Sequence, residues 1–181
     1  FIYLISPNKI KDEKFYYNLN QILSTKKVSF FQLRLKEENL KKQIYIGKKV
    51  KKICKKYHVK FIINDDPLIA KKVNADGCHL GQKDMNILQA RKILKNKIIG
   101  VTCHNSINLA KKAISNGASY LAFGAFYLSK TKKVKYKANL KILSLAKKLT
   151  NTPIVAIGGI KNTNYKKLLL NKANFLAISG Y

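Results

Sequence analysis

Eight short apolar runs alternate with lysine-rich amphipathic segments along this chain, and that alternation restricts its fold more than any other feature. The runs cover residues 1–6, 28–34, 59–64, 77–81, 98–103, 120–124, 154–158 and 175–179. Several are almost continuously apolar, as parallel strands covered by helices are. Between them the apolar residues return at helical spacing. Residues 16–23 do so through Tyr16, Leu19, Ile22 and Leu23, and residues 40–57 through Ile44, Ile46, Val50, Ile53 and Tyr57. Residues 67–73, 85–94, 107–115 and 165–170 read as further helices, as do residues 140–149, through Leu140, Leu143, Leu145 and Leu149.

Strand–helix alternation at this spacing predicts βαβ units and a parallel sheet. Eight repeats predict an α/β fold closed as a (β/α)8 TIM barrel rather than an open doubly wound sheet. No GxGxxG follows the first run, which weakens the dinucleotide-binding alternative. With no linker or low-complexity break, residues 1–181 are expected to form one domain. That is short for such a barrel, about 250 residues being typical. The sequence stops directly after the eighth strand, so the eighth helix is expected to be absent from this chain: either a further C-terminal piece supplies it or part of the wall stays open.

The formal net charge of +29 raises the question of nucleic acid. Only Arg34 and Arg91 are arginines, and the lysines spread over nearly every helix without interleaved aromatic platforms. A solvated, codon-driven surface that attracts anionic substrates is therefore expected, with no nucleic-acid partner. No run approaches the roughly 20 apolar residues of a membrane span. Cys54, Cys78 and Cys103 are too few and too dispersed for a disulfide scaffold, and suit a reducing cytoplasm. The oligomeric state is open, a homo-oligomer included.

Barrel chemistry sits at the C-terminal ends of the strands. Strand two ends in Gln32-Leu33-Arg34-Leu35-Lys36, and alternation sends Gln32, Arg34 and Lys36 to one side, a row suited to a phosphorylated ligand. Strand three ends in Asn64-Asp65-Asp66, and Asp84 follows strand four. Acidic residues number only eight, so carboxylates converging beside basic groups suggest Mg²⁺ held against a diphosphate. Asp66 is an alternative to Asp65 or a cap for the next helix; Asp76 precedes strand four and is expected to be structural. Cys78-His79 and Cys103-His104 match no zinc spacing, since neighbours on a strand face opposite ways. After strand six, Ser129, Lys130, Thr131, Lys132 and Lys133 form a polar loop. Gly158-Gly159 and Ser179-Gly180 end strands seven and eight, where barrels commonly bind phosphate. Two phosphorylated ligands, or one doubly phosphorylated ligand, would fit.

In order and over nearly the whole chain, these motifs resemble the thiamine phosphate synthase family. They comprise Tyr3-Leu4-Ile5, the Gln-x-Arg-x-Lys row, Ile63-Asn64-Asp65, residues 76–84 as DGCHLGQKD, residues 99–104 as IGVTCH, residues 123–132, and residues 155–160 as VAIGGI. The resemblance implies a Mg²⁺-dependent transferase that joins a pyrimidine diphosphate to a thiazole phosphate through a pyrimidine-methyl cation. Gln32, Arg34, Lys36, Asn64, Thr102 and Lys132 would hold the pyrimidine diphosphate, with Arg34, Thr102 and Lys132 acting in catalysis. Asp65 and Asp84 would bind Mg²⁺. Ser129, Thr131, Gly159, Ile178 and Ser179 would hold the thiazole phosphate.

The chain departs from the family pattern in places. Thr102 stands for a usual serine, Leu128-Ser129 for Pro-Thr, Leu35 for an acidic residue, and Lys172 and Phe175 for glycines. A related thiazole tautomerase uses histidine where Ala125 stands, so that reading ranks lower. A degenerate phosphate-binding barrel is the other alternative, and a nucleic-acid-binding protein the remote one.

Overall fold

The computed structural model describes residues 1–128 and 136–179. Eight strands close into a barrel in sequence order, each parallel to its neighbours: β1 (Ile2–Ile5), β2 (Val28–Leu33), β3 (Lys60–Asn64), β4 (Gly77–Leu80), β5 (Ile98–His104), β6 (Tyr120–Gly124), β7 (Ile154–Ile157) and β8 (Phe175–Ile178). β8 pairs back onto β1 through Ile2 and Leu176, Tyr3 and Ala177, and Leu4 and Ile178. Among the described residues, seven helices lie between the strands: α1 (Lys14–Ser24), α2 (Leu40–Lys56), α3 (Pro67–Lys72), α4 (Ile87–Leu94), α5 (Ile107–Ser115), α6 (Lys141–Leu149) and α7 (Lys166–Leu170). The expected TIM barrel is therefore present, with each strand within two residues of its predicted bounds.

Period-two alternation divides the apolar residues into two cores. Tyr3, Ile5, Ile62, Tyr120, Ala122, Val155 and Ala177 fill the barrel, with Phe30, Ile98, Ile157 and Phe175 against them. Phe31, Leu33, Phe61, Ile63, Cys78, Ile99, Cys103, Leu121 and Phe123 face outward into the layer beneath the helices. Tyr120 needs space inside, and Gly100 on the neighbouring strand provides it: a Cβ there would lie 1.8 Å from the Tyr120 Cζ.

Helix starts follow local chemistry. Asn39, Asn86 and Ser106 cap α2, α4 and α5 by accepting from Lys42, Gln89 and Leu109 N–H groups. Asp66 caps α3, accepting from Leu68 and Ile69 N–H at 2.7 and 3.0 Å, which decides between its two predicted roles. One helix face differs from expectation. In α6 the buried stripe is Ile142, Leu143 and Ala146, while Leu145 and Leu149 are exposed. Four leucines suit more than one 3.6-residue register, and packing against the barrel selected the stripe containing alanine.

At the opposite end from the strand termini, Asp76 Oδ2 accepts from the Phe61 N–H and pairs with Lys51 Nζ, both at 2.8 Å. Its structural role is thus to fasten α2 and the start of β3 to the turn before β4. Burial pushes its pKa upward, but the Lys51 ammonium and the Phe61 N–H outweigh that and hold it below the usual value. After α7, Lys172 takes φ 74° while its N–H bonds to the Leu169 carbonyl. It occupies the left-handed helix-ending position that favours glycine, so its replacement of a family glycine costs backbone strain rather than altering the mouth.

Candidate active site

The Gln-x-Arg-x-Lys row leaves the barrel interior in three steps. Gln32 is buried, its Nε2 donating to the Tyr3 hydroxyl at 2.8 Å. Arg34 lies just past β2; its backbone N–H donates to Ser6 Oγ at 2.8 Å and its guanidinium bonds Asn8 Oδ1, tying it to the end of β1. Lys36 reaches toward β3, with Nζ 3.2 Å from Asp65 Oδ2. Alternation on the strand predicted one face for all three. Because β2 ends at Leu33, Gln32 instead belongs to the barrel interior and Lys36 to the rim.

The two candidate metal carboxylates meet. Asn64 ends β3 in register with His79, and Asp65 follows with φ 66°, its N–H donating to the His79 carbonyl at 2.8 Å. That left-handed residue turns the chain so that the Asp65 carboxylate returns over the mouth. Asp84 Oδ2 accepts from the Gly81 N–H at 2.6 Å, folding the loop after β4 back on itself. Asp84 lies beside Asp65, and its pKa is raised, first by burial and then by the neighbouring carboxylate, against the opposing Gly81 N–H and Lys36 charge. Two carboxyl groups pressed together favour a cation between them. No cluster of three or more His, Cys, Asp or Glu occurs among the described residues. A pair of hard oxygen donors lacking a full protein cage suits Mg²⁺, which keeps waters and takes phosphate oxygens.

Below the carboxylates, polar groups line the inside of the barrel. His79 Nδ1 lies 2.9 Å from the Tyr120 hydroxyl and its Nε2 lies 2.9 Å from Thr102 Oγ1. The Tyr120 and Tyr3 hydroxyls are 2.7 Å apart. Burial pushes the His79 imidazole down to about 4 despite the nearby Asp65 charge, so it is neutral at physiological pH. Thr102 thus points inward from β5, and Gln82 Nε2 bonds its backbone carbonyl. Sequence reasoning passed over Tyr3 and Tyr120; the available signal was a hydroxyl at an inward position of a strand otherwise filled with aliphatic residues.

The second candidate anion site draws on the turns after β6, β7 and β8. Gly158 and Gly159 have φ of 107° and 59°. The Tyr127 N–H donates to the Gly158 carbonyl at 3.1 Å and the Phe126 N–H to the Ile157 carbonyl at 3.1 Å, so the chain leaving β6 docks on the β7 turn. A Cβ on Gly159 would lie 2.2 Å from the Leu128 carbonyl oxygen. The Gly159 N–H has no acceptor among the described residues, as an anion site requires. Ile178 ends β8 and Ser179 follows it, exposed. Ser129, Thr131 and Lys132, expected to serve the two ligands, and Gly180 lie outside the described residues.

Cys78 and Cys103 are buried in the outer core, where desolvation pushes both thiols up to about 12, while His79 faces the interior. His104 ends β5 at φ 52° with its ring 4.0 Å from that of Tyr136. Each Cys-His pair is therefore split between environments, as strand alternation demands.

A family model described as thiamine monophosphate synthase matches residues 2–180. A protein of Pelagibacter ubique named thiamine-phosphate synthase is 74% identical over 181 residues, covering all of this chain and 87% of that one. The protein of the same name from Saccharophagus degradans is 45% identical over 152 residues, covering 83% of this chain and 70% of its own. Among solved structures, the thiamine phosphate pyrophosphorylase from Pyrococcus furiosus superposes with a TM-score of 0.87 at 28% identity, covering 98% of this chain and 84% of that one.

Proposed function

The chain belongs to the thiamine monophosphate synthase family, and from that premise we propose how its barrel mouth performs the family's coupling reaction. It is a transferase that joins the pyrimidine diphosphate to the thiazole phosphate, giving thiamine phosphate and diphosphate. The observation that carries the site assignment is the meeting of Asp65 and Asp84 from adjacent strand ends, with Lys36 against Asp65.

Asp65 and Asp84 would hold Mg²⁺, which when bound supplies positive charge against the diphosphate oxygens. Lys36 and Arg34, together with Lys132 as the family resemblance implies, would offset negative charge as it develops on the leaving group. The C–O bond to the pyrimidine methylene breaks with its electron pair going to diphosphate. The thiazole nitrogen lone pair then forms the new C–N bond to the methylene cation. Gln32, Asn64 and Thr102 lie on β2, β3 and β5 around one side of the interior and orient the pyrimidine. Gly159, Ile178 and Ser179, with Ser129 and Thr131, would hold the thiazole phosphate on the far side, so that capture becomes effectively unimolecular. The reaction needs no side-chain nucleophile. Buried thiols held as neutral SH groups support that reading, and also a reducing, cytoplasmic setting. No described helix is long and apolar enough to cross a membrane.

The test is to mix the full chain with both substrates and Mg²⁺ and read thiamine phosphate by oxidation to fluorescent thiochrome. Asp84→Asn should fall by about 100-fold or more, from loss of charge at the leaving group, and chelation should abolish product. Undiminished turnover in a folded Asp84→Asn protein would remove the metal assignment.

A further inference from the structure

A single file of hydrogen bonds crosses the barrel interior. It runs from Gln32 Nε2 to the Tyr3 hydroxyl at 2.8 Å, on to the Tyr120 hydroxyl at 2.7 Å, to His79 Nδ1 at 2.9 Å, and from His79 Nε2 to Thr102 Oγ1 at 2.9 Å. Five residues on β2, β1, β6, β4 and β5 take part. The Tyr3 and Tyr120 rings meet edge-on, and His79 stacks on Tyr120 with centroids 5.6 Å apart and 15° between planes. Gly100 leaves the room in which the Tyr120 ring lies.

Such a file has a direction, because each tyrosine hydroxyl carries one proton and a neutral imidazole one. Tyr3 accepts from the Gln32 amide, so its own proton goes to Tyr120. Tyr120 then donates to His79 Nδ1. The imidazole proton is therefore on Nε2 and is donated to Thr102. Thr102 Oγ1 ends the file as an acceptor, and its remaining proton has no acceptor among the described residues. It is left for a ligand at the mouth.

We propose that Tyr3, Tyr120 and His79 are positioning residues that set the Thr102 hydroxyl as a hydrogen-bond donor toward the mouth, selecting a ligand atom with a free lone pair, such as an unprotonated heterocyclic ring nitrogen. This rests on the reading that the pyrimidine lies against Thr102. The file favours such an atom over a ligand that presents only N–H at that point, since the Thr102 proton would then have no partner on the ligand. It also explains how threonine can replace serine: the added methyl leaves both the acceptor and donor functions of the oxygen intact.

The first experiment needs no turnover, so it separates failure of this proposal from failure of the functional reading. The ligand-free full chain, labelled with nitrogen-15 in its histidines, is observed at neutral pH, and His79 is identified by its absence from a His79→Gln sample. A protonated Nε2 with a bare Nδ1 is expected. A proton on Nδ1 would mean that Gln32 accepts instead and the file runs backward, which overturns the proposal.

The second experiment is a double-mutant cycle on kcat/KM for the pyrimidine diphosphate. Tyr120→Phe and Thr102→Val should each lower it by about tenfold, the scale of one hydrogen bond. The double variant should lose no more than Thr102→Val alone, and Thr102→Ser should retain activity. Losses that multiply would show that Tyr120 acts by packing only and would overturn the proposal. Should Tyr120→Phe fail to fold, the tautomer of His79 decides alone.

Discussion

Lys36 Nζ lies 3.2 Å from Asp65 Oδ2, so the last cation of the Gln-x-Arg-x-Lys row and one of the two candidate metal carboxylates neutralise each other across the mouth. Both side chains are partly exposed, and such a pair adds little to stability. Its consequence is functional, because a lysine that serves the diphosphate also competes with a cation for Asp65. Replacing Lys36 by methionine should tighten Mg²⁺ binding to the ligand-free protein by about threefold, through loss of a screened repulsion, while lowering turnover. Calorimetric metal titration beside the thiochrome assay checks both signs; weaker metal binding in the variant would contradict the pairing.

Gly159 joins backbone geometry to the proposed second anion site. Its φ of 59° and the 2.2 Å approach of the Leu128 carbonyl to a Cβ leave an alanine nowhere to go without moving the chain after β6. Gly159→Ala should cost about 1–3 kcal/mol of stability as an overpacking change. It should raise KM for the thiazole phosphate by about tenfold or more, since small misplacements of binding groups are costly, and leave KM for the pyrimidine diphosphate largely unchanged. Steady-state kinetics with each substrate varied in turn distinguishes the two sites.

Lys172 offers a change in the stabilising direction. It holds φ 74° at the end of α7, where glycine is the residue without a Cβ penalty. Lys172→Gly should stabilise the protein by about 1 kcal/mol, the scale of the left-handed penalty, without altering kinetics. Urea unfolding measures this, and a loss of stability would contradict the strain assignment.

Asp76 predicts a pH dependence. Its folded pKa is lowered by Lys51 and the Phe61 N–H against the upward push of burial, while the unfolded value is about 3.9. A depressed carboxylate contributes stability that is fully present above the unfolded pKa and lost as pH falls through the folded one. Asp76→Asn should therefore lower stability by about 1 kcal/mol at both pH 7 and pH 5, with the difference shrinking below about pH 4. Unfolding curves at pH 7, 5 and 3 test the sign.

The barrel follows from the pattern of residues along the chain. Eight apolar runs separated by amphipathic segments leave parallel strands and covering helices as the arrangement that buries both, and each strand lies where its run predicted. Asp65 and Asp84 were legible because acids are rare in this chain and both follow strand ends. The Asp66 cap was legible only as one of two roles, since a carboxylate beside a helix start can serve either until its acceptor geometry is known. The stripe of α6 was not legible, because clustered leucines fit several registers.

The polar file of the interior came from closure of the barrel. Tyr3 and Tyr120 stand 117 residues apart in apolar strands, where a phenol ring reads as bulk. Closing the barrel brings their hydroxyls to 2.7 Å and places Gln32 at one end and His79 and Thr102 at the other. Periodicity specifies which face of a strand a side chain occupies, because that follows from its neighbours along the chain. Which hydroxyl meets which imidazole depends on register and closure, because these are set by all eight strands together.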